Sequence, residues 1–411
     1  MRCELRVRGT RKRGRPGNRQ AAGKGSGRMV GRVRAAIVNA LLAIASTVLC
    51  YVAMEYAVFR LALPYLPVDV RPHLPDMVDV LAQNSKAGYL PHDYVALLGD
   101  SYAEGLGDWL LQVGGDRNKP FHSAYVIREA TGRDVVSFGK GGAGSAEGIV
   151  FRPARVFPSY RCSVFPALEF PRQMFVYFYE GNDVDDNAYF LSKVDGRYRR
   201  TDGGAIDRYL AEEYAITTPW HCHWQLADFM ISMASFAFRY HVLGLPVDNC
   251  GTEAPRANHL IVGDRIVEAP ALQGPSLLPV GDAPIRAGMD VLAHSLSWLR
   301  RRFPGVPVVL VYVPSALSVY RLAGDSLHSV AYCVGVNVVR SAPTAEIEQK
   351  HDFIRDIARD IAGHQGIPFV DATPVLRAAA AAKVIHGPRD WDHFNEIGYR
   401  ALGALVAAHV R

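Results

Sequence analysis

Five short, nearly unbroken apolar runs limit what this 411-residue chain can fold into. They cover residues 95–98, 134–138, 174–179, 306–313 and 367–371. A run that stays apolar at consecutive positions suits a strand buried on both faces, as parallel strands are. Each of the first three ends in a glycine-rich or polar turn: Gly99-Asp100-Ser101, Gly139-Lys140-Gly141-Gly142-Ala143-Gly144 and Glu180-Gly181-Asn182-Asp183. Pro314 closes the fourth. Helical spacing runs on from Tyr102, extends over most of 109–130, and returns over 347–362, where Ile347, Phe353, Ile354, Ile357 and Ile361 share a face. A last helix is expected over 396–410. Strands alternating with helices in this way predict an α/β protein with a five-stranded parallel sheet.

The charge is unevenly placed. Residues 1–34 hold twelve of the 46 Lys and Arg and one of the 40 Asp and Glu, which leaves 34 basic against 39 acidic residues, a net −5, for the remainder. A mildly acidic body argues against a nucleic-acid-binding domain. The Arg/Gly-rich segment 1–34 reads as a disordered basic tail. Residues 35–54 carry no charge; at ~1.5 Å per residue they are long enough to cross a hydrocarbon core of ~30 Å. The basic flank predicts a cytoplasmic tail and a main body outside, on the periplasmic side of the inner membrane. The length of the run and the lack of a small-residue cleavage site favour an uncleaved anchor over a signal peptide. A start at Met29 would leave the same topology. Pro64, Pro67, Pro72, Pro75 and Pro91 mark 55–91 as a stalk, and 92–411 as the main domain. Within it, 184–300 is too long for a simple crossover and reads as an insertion. Its aromatic residues, among them Trp220, Trp224, Phe229, Phe236 and Tyr240, suit a packed cap or a sugar-stacking surface.

The six cysteines fit an oxidising compartment. Cys162, Cys222, Cys250 and Cys333 allow two disulfides in three connectivities. His221-Cys222-His223 lacks metal-ligand spacing, so no metal site and no cofactor are expected.

The chemistry gathers at the turns. A serine one residue into the turn after a parallel strand sits at the carboxyl edge of the sheet, where open α/β folds bind ligands. Free backbone N–H groups at the start of the next helix suit an oxyanion there. Near the end of the chain, Asp390 and His393 stand three apart, close enough for one turn to bring the carboxylate to Nδ1 while Nε2 faces Ser101. Asp392 points elsewhere by its adjacency, and Asn395 is read as a helix N-cap. Ser101 N–H, Gly142 and the Asn182 amide are candidate oxyanion donors.

In this order Gly99-Asp100-Ser101, Gly142, Gly181-Asn182-Asp183 and Asp390-x-x-His393 resemble the four sequence blocks of the SGNH (GDSL-type) hydrolase family, over about residues 92–183 and 300–411. The resemblance implies a three-layer α/β/α sandwich with a flavodoxin-like sheet. It also implies Ser101 as nucleophile, His393 as base, Asp390 as its orienting acid, and an oxyanion hole from Ser101, Gly142 and Asn182. The long insertion departs from compact members. With its anchor the chain looks like tethered relatives acting on acyl groups of envelope polysaccharide. The expected function is therefore a serine esterase or O-acyltransferase on ester, mainly O-acetyl, groups of carbohydrate. A non-catalytic glycan-binding envelope protein and a membrane-surface lipase are the alternatives. Hydrolysis and transfer differ only in what resolves the acyl-enzyme, which the sequence does not distinguish.

Overall fold

The computed structural model describes residues 25–57, 61, 63, 74–107, 122–161, 167–215, 225–244, 258–278, 281–324, 326–333 and 336–411. Two units are separable, residues 1–56 and 57–411. The first consists, as far as it is described, of one helix, Gly25–Ala57. Its stretch Val30–Ala57 has a mean hydropathy of 2.1 over its most apolar window, with none of that window buried. The helix begins ten residues before the apolar run, so 25–34 is helix rather than disordered tail. Arg is a good helix former, and adding residues to an existing helix costs far less than nucleating one.

In the second unit the five apolar runs form one parallel sheet: β1 (Val95–Leu98), β2 (Val135–Ser137), β3 (Gln173–Tyr179), β4 (Val308–Val313) and β5 (Phe369–Asp371). The order across the sheet is β5-β4-β3-β1-β2, the doubly wound order of flavodoxin-like folds. Val95 stands opposite Val135 on one side and Gln173 on the other. Met174 pairs with Val308, and Phe369 with Leu310. Every residue of β1 to β4 is buried, which is why those strands read as unbroken apolar runs.

Alternate residues feed opposite layers. Val95, Leu97, Phe175, Tyr177, Val309 and Val311 join one core with Ala124 and Ile127 of helix Ser123–Thr131, Leu376 of Thr373–Ala382, and Tyr399 and Leu402 of Glu396–Ala407. On the other face Tyr312 packs with Phe178, Phe369 and His351 of helix Thr344–His364. Phe157 of helix Arg152–Arg161 stacks on Phe138 and meets Phe303. The result is the expected three-layer α/β/α arrangement.

Four details differ from the sequence reading. Residues 74–91 are not stalk. Helix Asp76–Ala82 is largely buried, and the segment after it closes the open edge of β2. Ser137 N–H donates to Gln83 Oε1 at 2.7 Å, and Gln83 Nε2 donates back to Ser137 O at 2.7 Å. Val135 N–H reaches Ser85 O at 2.9 Å. The helix after Ser101 lasts only four residues, Ser101–Glu104, because Gly105 takes a left-handed conformation. The insertion contains helices Asp183–Tyr198, Gly203–Ala215, Gln225–Ala237 and Asp282–Arg302, and two strands that were not anticipated, Asn258–Val262 and Arg265–Ala269. These two pair antiparallel and take Arg321–Leu322 as a third strand. A further hairpin, Ser326–Cys333 with Val336–Pro343, was also unanticipated.

The expected helix between 109 and 121, the rest of the stalk, Trp220, Trp224, the His221-Cys222-His223 triplet, and Cys3, Cys162, Cys222 and Cys250 lie outside the described residues. So does the side chain of Cys333. Cys50 is an exposed free thiol.

Candidate active site

The turn after β1 is built around Gly99. Its φ is +134°, and a Cβ there would lie 2.5 Å from the carbonyl oxygen of Tyr177, so no side chain fits without moving β3. Asp100 follows as the helix N-cap, its Oδ1 accepting Tyr102 N–H at 2.9 Å. That fixes Ser101 at the first helical position, 6% exposed.

The opposite wall comes from the loop before the last helix. Asp390 Oδ1 accepts N–H from Asp392 at 3.0 Å and from His393 at 3.2 Å, while Oδ2 faces His393 Nδ1 at 2.7 Å. One carboxylate thus shapes the loop and orients the imidazole. Asn395 caps helix Glu396–Ala407, as its position suggested.

Tyr102 joins the two walls. Its hydroxyl donates to Asp392 O at 2.6 Å, across 290 residues, and its ring lies 5.5 Å, centroid to centroid, from His393. Tyr102 therefore ties the serine turn to the Asp390–His393 loop at one rim of the sheet. Ser101 Oγ makes no hydrogen bond to His393 among the described residues. In free enzymes this contact is commonly long and closes on substrate.

Burial works against a charged His393, but the adjacent Asp390 carboxylate, with Asp392 and Asp100 behind it, outweighs burial and lifts the imidazole to about 9. Burial would raise Asp390, and the His393 charge holds it below the usual carboxylate range instead. Asp100, fully buried, is pushed by desolvation up to about 7. Asp183 rises well above its ordinary value from burial and the nearby Asp100 charge. Asp186 reaches about 7, from burial and then from Asp100, Asp185 and Glu147.

Gly142 lies on the second turn and Asn182 on the third, and the two segments touch at Gly144 against Asp186 and at Ser145 against Asn187. Gly142 has φ +70°, and nothing stands within 4 Å of where a Cβ would be. It opens onto a cavity of about 410 Å³ lined also by Glu147, Asp186, Tyr189 and Lys193. Two other cavities, of about 430 and 880 Å³, include none of the five candidate site residues. Asn182 Nδ2 donates to Asp186 Oδ2 at 3.0 Å and keeps its second N–H for another acceptor.

Some structural supports of the site were not read from sequence. Glu180, buried at the end of β3, accepts from Ser315 Oγ at 2.8 Å and lies 2.5 Å from His351 Nδ1, with Tyr312 and Ser318 hydroxyls also on it. Burial would raise this carboxyl, but the His351 charge and these donors hold it low. The network pins the turn that carries Asn182. An acid closing an apolar strand was the available signal. Tyr102 carried none.

No family model and no curated protein matches the chain. Among solved structures it is similar to an extracellular lipase from Streptomyces rimosus, at 15% identity and a TM-score of 0.37, covering 77% of this chain and 99% of that one. It is also similar to a phospholipase A1 from Streptomyces albidoflavus (16%, TM-score 0.35, 77% and 97% covered). A third is a carbohydrate acetylesterase from Sinorhizobium meliloti (10%, TM-score 0.30, 77% and 97% covered).

Proposed function

We propose that this chain is a membrane-anchored, extracytoplasmic serine esterase or O-acyltransferase of the SGNH type. The observation that carries the reading is the Asp390–His393 pair, 2.7 Å apart and joined through Tyr102 to the turn that presents Ser101. Neutral His393 takes the Ser101 proton as Oγ attacks the ester carbonyl, and Asp390 holds the ring with Nε2 toward the serine. Negative charge developing on the carbonyl oxygen is met by the N–H groups of Ser101 and Gly142 and the free N–H of the Asn182 amide. Collapse expels the alcohol, which takes the proton from His393 and leaves an acyl-enzyme. Water or a second hydroxyl then resolves it by the same steps reversed.

The cavity beside Gly142 favours a carbohydrate ester. Its carboxyl groups, Glu147 and Asp186, can hydrogen-bond sugar hydroxyls, and Tyr189, 52% exposed, offers a ring face. The apolar helix Val30–Ala57 and the basic residues before it support an inner-membrane anchor with the catalytic unit on the periplasmic side.

Replacing Ser101 by Ala in the purified full chain should lower turnover of p-nitrophenyl acetate by about 10⁴-fold or more while leaving the circular dichroism spectrum unchanged. Turnover equal to the parent's would eliminate the assignment.

A further inference from the structure

The oxyanion donors belong to two separate pieces of chain. Gly142 lies on the loop after β2, and Asn182 stands at the head of helix Asp183–Tyr198. Their separation is set by whatever ties the loop to the helix. The front of the loop is held to the serine turn, where Lys140 N–H reaches Gly99 O at 3.2 Å and Gly141 N–H reaches Glu104 Oε2. Its rear is held to the helix by Asn187, with Lys193 Nζ reaching Glu147 Oε1 at 3.4 Å a turn and a half further on. Asn187 Oδ1 accepts Ser145 N–H at 2.9 Å, and Asn187 Nδ2 donates to Ser145 Oγ at 3.0 Å. Both residues are buried. Between them the chain rides flush on the helix: a Cβ on Gly144 would come 2.8 Å from Asp186 Cβ and 3.1 Å from Asn187 Oδ1.

We infer that the Asn187–Ser145 pair is a latch that sets the spacing of the oxyanion donors, which makes Asn187 a positioning residue for the reaction. The inference rests on the proposed roles of Gly142 and Asn182. Asn187 is among the residues lining the cavity beside Gly142, but both ends of its amide are taken up by Ser145. It acts through the loop, three residues from Gly142, and through its own helix, five residues from Asn182. An amide suits the place because it both accepts from a backbone N–H and donates to a hydroxyl. A leucine of similar size does neither and leaves Ser145 N–H buried and unpaired. Loss of the latch lets Gly142 drift, and donors that must sit within about 3 Å of the developing oxyanion lose their aim.

The test is kinetics of the full-chain protein and its Asn187→Leu variant on p-nitrophenyl acetate. Active sites are counted by fluorophosphonate labelling, in which Ser101 Oγ displaces fluoride from phosphorus. The expected result is a kcat per labelled site lower by about 30- to 100-fold, with KM within about threefold, because the ground state makes little use of the donors. A merely structural role would lower the number of labelled sites and leave kcat per site unchanged, and that result overturns the inference. Should Asn187→Leu not fold, Ser145→Ala carries the test, since it removes one bond and keeps the backbone donor. A roughly fivefold fall in kcat at constant KM supports the latch, and an unchanged kcat sinks it. If the parent protein neither turns over ester nor labels at Ser101, the proposed function has failed. An active parent with an indifferent Asn187 variant fails the latch alone.

Discussion

His393 at about 9 is mostly cationic at neutral pH, yet a general base must be neutral to take a proton. The activity of the free enzyme should therefore climb with pH through the alkaline range, following the neutral imidazole. Since Asp390 is the partner that raises His393, Asp390→Asn should move that limb down toward the ordinary histidine range near 6.5. It should also lower the plateau of kcat/KM by about 10²- to 10⁴-fold, because the ring loses its orienting acceptor. Asp392→Asn should cost a few-fold at most, because its contact with Tyr102 is made by the backbone carbonyl. Profiles of kcat/KM between pH 6 and 10 for the three proteins check this. Equal losses in the two variants would leave Asp390 without its special role.

The elements that could be read in the sequence are those whose burial is continuous. β1, β3 and β4 are apolar at nearly every position because helices cover both their faces, and no other arrangement tolerates such runs. The strands of the accessory sheet carry little sequence signal because they are short and half-exposed. Arg265–Ala269 carries two charges in five residues, and only Gly263-Asp264 between two β-branched stretches hinted at a hairpin. The segment 74–91 was obscured by its prolines. The composition of a linker does not reveal that Gln83 replaces a sixth strand. Ser101 and the Asp390–His393 spacing were legible as local motifs, whereas the Tyr102 bridge and the Asn187 latch are long-range contacts with no local pattern. The Gln83 plug makes its own prediction. Gln83→Ala strands Ser137 N–H and C=O at the edge of β2, each worth about 1–3 kcal/mol when buried unpaired. Urea unfolding should show a loss of about 2–4 kcal/mol with an unchanged m-value. A loss below about 0.5 kcal/mol, the range of an indifferent surface change, would mean the edge does not depend on this side chain.

For the whole molecule, the buried carboxyls near the site and His393 bias stability in one direction. Asp100, Asp183 and Asp186 hold protons more tightly when folded than unfolded, so their contribution is fully present below about 4 and is lost as pH rises, for Asp100 and Asp186 through about 7. The contribution of His393 is present below about 6.5 and lost as pH rises through about 9. Opposing them is His386, buried beside Tyr320 and held down to about 3 by desolvation, which withdraws stability as pH falls below about 6.5. Asp390 and Glu180, both held low, withdraw stability only in the acid range below about 4.5. Between pH 9 and 6.5 every one of these terms that changes favours the more acidic condition. From 6.5 to 4.5 three carboxyls act against one histidine, and a proton held across one pH unit is worth about 1.4 kcal/mol. Thermal unfolding of the full chain should therefore give a Tm several degrees higher at pH 5 than at pH 9. In Asp390→Asn the segment of the curve between 6.5 and 9 should flatten, because His393 then no longer holds its proton more tightly than the unfolded chain does. A Tm that climbs steadily from pH 5 to pH 9 would show that the carboxyls beneath the serine turn are ionised in the native protein, and the electrostatic picture of the site would have to be redrawn.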